Sequence, residues 1–512
     1  MDDSHTIQTN QFVHSLDYLG FPWTSSKAYS STPDNYGYRP LTTNFNQMVW
    51  ALGDGEARAY QIAKKLLLVL FAAIAVLLWS QFYRSVWKRE LSPLTRFLAF
   101  GFFLLHPLGT QVGNYIAASS SLLCGIFYAA SLTVYLRYRQ TTSWVALILG
   151  CTFFFFSMMS KEEGITLLGV ILWLEVFYLR PAPLRLNWQK GLIGFFAYVL
   201  TAGLGLYLIF SHFEPSSNIA RGFVPRNLYF ATQLRAYFHY IGLYVWPFQF
   251  NFDNLEFRFA AEFWTIENLS FFLANLGIIF LGLYWSYRKK IWGIALIGFY
   301  IAIAPASSFI SLAEAVNDHR HFISFLFFGI GLISILDWIL IQFCHQEFRR
   351  WAGIAFIFLF LAGASFYRNL DFHSGLEIWL DTVIRNPHSP RAKNNLALEY
   401  ISRHDLATAR SLLEKCIVEA PTYAVCYTNL GIVNSMLGHA GAAEKNFEIA
   451  MRVDMGVVTS RLFYAEFLVN KGELQKAKKY LIEADEFASG LHQPVHQYLK
   501  LIKQRLGEPS SN

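Results

Sequence analysis

Leu66–Trp79 reads LLLVLFAAIAVLLW, without a charge or a proline. A helix crossing a bilayer needs about 20 mostly apolar residues, and extending this stretch to 62–83 supplies them. Nine further stretches repeat the pattern, at about 93–106, 115–136, 143–160, 164–180, 191–211, 267–287, 291–308, 322–342 and 351–367. Of 512 residues, 54% are hydrophobic and 15% charged, which excludes an ordinary soluble enzyme and places the chain in the membrane class. The net charge of +7 comes with no basic run interleaved with aromatics, so nothing points to nucleic acid. The expected architecture is all-α: a polytopic transmembrane bundle over 61–367, preceded by a polar segment at 1–60. A linker at 368–389 follows, then a repeat region.

The loops between spans alternate in charge. YRSVWKRE (83–90), RYRQ (137–140), RPAPLRLNWQK (180–190), YRKK (287–290) and FRR (348–350) concentrate Lys and Arg. Short cytoplasmic loops carry that excess. The other set then faces outward: HPLGTQVGN (106–114), SKEEG (160–164), 212–266 and SLAEAVNDHRH (311–321). Lys64 and Lys65, at the outer end of the first span, are exceptions. Ten spans put both termini outside, and no leader sequence precedes the polar start, so a further span upstream of Met1 is expected. Thr232–Trp246 is too polar for a span and reads as a re-entrant or interfacial helix.

The C-terminal region repeats at an offset of 34 residues, the tetratricopeptide (TPR) period. Leu396, Ala397, Ala409, Leu413 and Cys416 align with Leu430, Gly431, Ala443, Phe447 and Ala450, then with Tyr464, Ala465, Ala477, Leu481 and Ala484. Small residues at these positions let paired helices approach and stack. Three repeats over 390–490 and a capping helix and tail over 491–512 follow, with Gly438 and Gly472 at turns. The five cysteines show no metal spacing. Cys416 reads as a packing residue, with a disulfide to Cys426 as the alternative. A TPR array usually presents a groove for an acceptor or partner protein.

Ionisable residues gather at the outward ends: Asp2 and Asp3, Asp34 and Arg39, His106, Lys161 with Glu162 and Glu163, Arg235, and Asp318, His319 and Arg320. Taken singly, each reads as a solvated loop end or a helix cap. Together they suit transfer from a lipid-linked phosphate. A carboxylate would deprotonate an acceptor hydroxyl, and Arg or Lys would hold the phosphate.

In order along the chain stand DDSHTIQTN, YGYRPLTTNFNQ, HPLGTQVGNYIAASSSLL, SKEEGITL, LYFATQLRAYFHYIGLYVWP, PASSFISL, DHRHFISF and LEIWLDTVIRNPHSPRAKNNLA. With the TPR tail, this set resembles the transmembrane-and-TPR O-mannosyltransferases and their bacterial relatives, within the GT-C membrane glycosyltransferases. The resemblance implies a GT-C-like bundle that moves a sugar, mannose as first guess, from a polyprenyl-phosphate carrier to a protein hydroxyl on the non-cytoplasmic side. It places the general base at Asp2 or Asp3, just after a first membrane helix. Arg39, Lys161, Arg235 and Arg320 become carrier-phosphate contacts, and His106, Glu162 and His319 orient substrate. The implied setting is a bacterial inner membrane with a periplasmic TPR region. No metal is demanded, and a divalent ion at Asp2, Asp3 and Glu162 stays open. Gly109, Gln111 and Ser119 depart from the family's His-Pro loop, Ser119 standing where Arg is expected. Phe322 and Ser324 replace Tyr and Pro. These departures carry the alternative reading, a catalytically degenerate membrane-anchored TPR scaffold.

Overall fold

The computed structural model describes residues 4–31, 37–115, 118–179, 187–212, 225–248, 260–308, 316–317, 320–370, 374–454, 458–487 and 493–506. Helices make up nearly all of it, and no β-strand occurs among the described residues. The chain divides into two compact units. One comprises the first 370 residues apart from 32–35 and 251–256; the body of the other is Asp371–Asn512.

In the first unit, 4–31 forms a series of short helical turns held on α1 (Pro40–Gly53). Gln47 and Asn44 of α1 donate to the Phe12 and Leu19 carbonyls, at 2.8 Å each. His14 stacks on Trp50 with ring centres 3.9 Å apart. Side-chain amides of a helix thus satisfy the carbonyls of partly buried turns.

The apolar helices follow: α2 (Ala57–Phe82), α3 (Pro93–Leu105), α5 (Ser119–Thr141) after the short α4 (Leu108–Asn114), α6 (Trp144–Ser160), α7 (Thr166–Phe177) and α8 (Asn187–Ser211). Next come α9 (Arg226–Val245), α10 (Ile266–Tyr287), α11 (Ile291–Ile303), α12 (Phe322–Phe343) and α13 (Glu347–Leu370). Six of them, α2, α5, α8, α10, α12 and α13, are long and apolar enough to cross a bilayer. The chain is an integral membrane protein. Ser92, Ser143 and Thr265 cap the starts of α3, α6 and α10 by accepting backbone N–H groups, as expected of Ser and Thr at helix N-caps.

The most polar of the six, α5, is the most enclosed: 78% of its most apolar stretch is buried, against 17% for α10 and α13. It packs on α2, α6, α8 and α12. Small residues make this possible. A Cβ on Gly125 would lie 3.1 Å from the Phe322 ring and 3.3 Å from that of Phe71. The outer helices turn Leu200, Phe210, Phe280 and Phe356 outward, as lipid contact requires.

The second unit begins with α14 (Gly375–Arg385). Antiparallel pairs follow: α15 (Pro390–Ser402) with α16 (Leu406–Glu419), α17 (Ala424–Met436) with α18 (Ala440–Val453), and α19 (Val458–Lys471) with α20 (Leu474–Phe487). Then comes α21 (Gln493–Arg505). All the repeat positions aligned in the sequence are buried. Cys416 is buried in the core of the repeats as expected, and the alternative also holds: it is bonded to Cys426 across the α16–α17 junction, with Cα atoms 6.3 Å apart. The two sulfurs meet across a four-residue connection, Ala420–Tyr423.

Gly438 and Gly472 turn the second and third pairs with φ of 77° and 86°. At the same repeat position the first pair carries His404, exposed, at φ 62°. A left-handed conformation costs a non-glycine residue about 1–2 kcal/mol, and glycine's extra unfolded freedom returns about 0.5–1 kcal/mol of that. His404→Gly is therefore expected to stabilise this unit by about 0.5–1 kcal/mol. Denaturant unfolding checks it, and a loss of stability would refute the strain.

Candidate functional site

Two groups of polar side chains lie at the end of the membrane unit where α2, α5, α7 and α12 begin. The first is built on the loop between α6 and α7. The backbone leaves α6 at Lys161 in an extended conformation (φ −160°, ψ 140°), then re-enters a helical turn at Glu162–Ile165. That break sends consecutive charged side chains in different directions. Lys161 and Glu163 turn inward and pair at 2.9 Å, both almost fully buried. Lys161 Nζ also donates to Ser121 Oγ of α5 at 3.0 Å. Glu162 turns outward and receives Arg39 through two parallel bonds, Nη2–Oε1 at 2.9 Å and Nε–Oε2 at 3.2 Å. The remaining arm of Arg39 donates to the Tyr29 hydroxyl at 3.1 Å. Thr42 of α1 donates to the Ser160 carbonyl at 3.0 Å. The 4–31 segment, α1 and the 160–164 loop are thereby joined.

Partial desolvation disfavours the charge on Glu162, but Arg39 and then Lys161 outweigh it and hold the carboxyl down at about 2. Glu163 is raised: its burial, together with the neighbouring Glu162, outweighs the pull of Lys161. Removing one partner of such a buried pair costs about 3–5 kcal/mol.

The second group centres on Tyr244 at the end of α9. His106 closes α3, and its Nδ1 accepts the Leu108 backbone N–H at 3.2 Å. Nε2 then carries the proton and donates to the Tyr244 carbonyl, also at 3.2 Å. Burial pushes the His106 imidazole down to about 4, against the pull of that carbonyl, so it is neutral at pH 7. From the other side, the Tyr244 hydroxyl meets Ser324 Oγ at 2.9 Å and His321 Nδ1 at 3.0 Å. The Phe325 ring lies between, 4.6 Å from His106 and 5.3 Å from Tyr244. Burial, then His239, His106 and Lys161, hold His321 well below the ordinary histidine range.

Arg235 sits elsewhere on α9, 3.4 Å from Glu267 at the start of α10. Arg320 donates its backbone N–H to Asn317 one turn before α12. Asp2, Asp3, Asp34, Asp318 and His319 lie outside the described residues, as does the side chain of Gln111. Of the expected site residues, Arg39 and Glu162 pair directly, while Lys161, next to Glu162 in the chain, turns inward to Glu163. His106 joins Tyr244 and His321, and Arg235 stands apart. No group of three or more His, Cys, Asp or Glu that would hold a metal ion gathers among the described residues.

Sequence reasoning missed Lys64, Tyr244 and His321. Lys64 is a fully buried ammonium that donates to the Tyr115 carbonyl. Both α2 and α5 start at this end, and Phe71 meets Gly125 between them. Lys64, seven residues before Phe71, therefore stands nearly level with Ser119, six before Gly125. A lysine interrupting an apolar span was the available signal. Tyr244 and His321 carried none beyond adjacency to aromatic and basic motifs.

The chain is similar to animal proteins named as protein O-mannosyl-transferases. It is 28% identical to mouse TMTC4 over 191 residues, covering 33% of this chain and 25% of that protein. Identity to human TMTC3 is 24% over 188 residues, covering 34% and 19%, and to frog (Xenopus laevis) tmtc2 24% over 243 residues, covering 43% and 27%. The chain thus spans about a quarter or less of the length of these relatives. No family model matches it.

The Arg39–Glu162 pair generates a prediction. Glu162 is more than half exposed, so screening limits the coupling to about 1 kcal/mol. A double-mutant cycle of Arg39→Ala and Glu162→Ala on unfolding is expected to show it at pH 7. The folded carboxyl titrates below its unfolded value, so the stabilisation is complete above about pH 5 and is lost as pH falls towards 2. Additive single-mutant effects at pH 7 would refute the coupling.

Proposed function

We propose that the chain is a membrane glycosyltransferase. In this reading it moves a sugar, mannose in the first instance, from a polyprenyl-phosphate carrier to a protein hydroxyl on the non-cytoplasmic side. The observation that carries it is the convergence of Arg39, Lys161 and Glu162, with the His106–Tyr244–His321 group, at one end of an apolar helical bundle. The similarity to proteins named as O-mannosyl-transferases supports the same reading.

In the proposed reaction Asp2 or Asp3 takes the proton of the acceptor hydroxyl. The hydroxyl oxygen bonds to the anomeric carbon, the bond from that carbon to the phosphate oxygen breaks, and polyprenyl phosphate leaves. Lys161 contributes positive potential towards the phosphate while Glu163 keeps it oriented. Lys64, level with Ser119, supplies an ammonium near where the resemblance expects an arginine. Arg39 and Glu162 hold the 4–31 segment, and with it the chain that leads to the acidic pair, against the 160–164 loop. Arg235 and Arg320 stay candidate carrier contacts, and His319 a substrate contact.

The helix pairs of the second unit are read as TPR repeats that receive the acceptor protein. The Cys416–Cys426 bond supports an oxidising compartment such as the periplasm for this region.

Membranes carrying the chain, supplied with radiolabelled polyprenyl-phosphate mannose and acceptor proteins, are expected to transfer label to protein. The Asp2→Asn/Asp3→Asn double variant is expected to lose at least about 100-fold of the rate, the usual contribution of a general base. Transfer unchanged in the double variant would remove the acidic pair from the mechanism. Absence of transfer by the wild type with mannose and with other polyprenyl-phosphate sugars would overturn the function itself.

A further inference from the structure

His321 is fully buried, yet only one of its ring nitrogens is engaged. Nδ1 meets the Tyr244 hydroxyl at 3.0 Å, while Nε2 has no hydrogen-bond partner. The ring is fixed on several sides. Tyr240 lies against it at 4.4 Å between centres, Ser324 donates to the His321 carbonyl at 2.8 Å, and Phe322 packs on Gly125 of α5. One turn before Gly125 stands Ser121, which receives the Lys161 ammonium. His321 and the buried Lys161 are near enough to interact electrostatically. A buried polar atom without a partner carries a desolvation penalty, and such a group in a native site calls for an explanation. A ligand atom that completes the bond is the explanation the position supports.

We propose that His321 Nε2 is a hydrogen-bonding contact for a hydroxyl of the donor sugar, with Tyr244 positioning the imidazole. The inference rests on the glycosyltransferase reading above. A sugar hydroxyl fits because it donates or accepts as the tautomer demands. The imidazole lies among other basic groups and takes an uncharged partner. Complete burial suits the small head of a lipid-tethered donor better than a protein acceptor, which approaches from outside.

The test uses the full chain in detergent micelles with polyprenyl-phosphate mannose, comparing wild type with His321→Leu, His321→Gln and Tyr244→Phe. His321→Leu is expected to raise the donor KM about tenfold, the loss of one buried hydrogen bond, with a smaller change in kcat. It removes an unsatisfied polar atom, so its donor-free unfolding temperature is expected to hold or rise; Tyr244 keeps Ser324. His321→Gln, whose amide nitrogen reaches towards the Nε2 position, is expected to recover part of the KM. Tyr244→Phe is expected to raise KM less than His321→Leu, and it provides the readout if the leucine variant does not fold. A lowered donor-free unfolding temperature with an unchanged donor KM would make His321 a packing residue. That result would overturn the inference while transfer by the wild type leaves the function standing. A wild type that neither transfers from polyprenyl-phosphate sugars nor is stabilised by them would overturn both.

Discussion

The membrane unit depends on one helix being enclosed by others. Ser119–Thr141 is the least apolar of the six long helices, and its neighbours bury most of it. Hydrocarbon would leave its serines without partners. Against protein they find them: Ser131 donates to the Gly150 carbonyl at 2.7 Å, and Ser121 receives Lys161. Gly125 admits the Phe71 and Phe322 rings from two other helices. A helix that is polar on one side and small on another is stable only at the centre, and this choice sets where the remaining apolar helices stand.

The same enclosure creates the candidate site. The start of that helix lies beside the starts of α2, α7 and α12, so their loops share one end of the bundle. Charges there are paired before any ligand arrives, Lys161 with Glu163 and Arg39 with Glu162. Pairing limits the cost of keeping ions near the bilayer. It also fixes their direction, which a phosphate or sugar contact requires. Tyr244 performs a similar task without charge: its carbonyl receives His106, and its hydroxyl meets His321 and Ser324.

The second unit follows a different rule. Its helix pairs bury small residues at a fixed period, so each pair needs only its neighbours. The Cys416–Cys426 bond staples the first pair to the second. The left-handed His404 where the later turns have glycine shows that the repeat geometry overrides a local backbone preference.

Apolar runs, loop charge and a 34-residue period were legible along the chain because each is a local pattern. They determined that the chain is all-helical with apolar membrane helices, along with the buried repeat positions. The loop residues Arg39, His106, Lys161 and Glu162 were also legible as candidates, since charge beside an apolar span is visible in one dimension. Their partners were not. Glu162 stands 123 positions from Arg39, and His106 stands 138 from Tyr244. Pairing at such separations is set by which helices pack together, and apolar helices of similar composition do not specify that locally. Likewise, the adjacent Glu162 and Glu163 are equivalent as letters. Only the extended turn at Lys161 sends one out to Arg39 and the other into the bundle. Lys64 and His321 were not legible as site residues for the same reason: their burial is a property of the neighbours, not of their own segments.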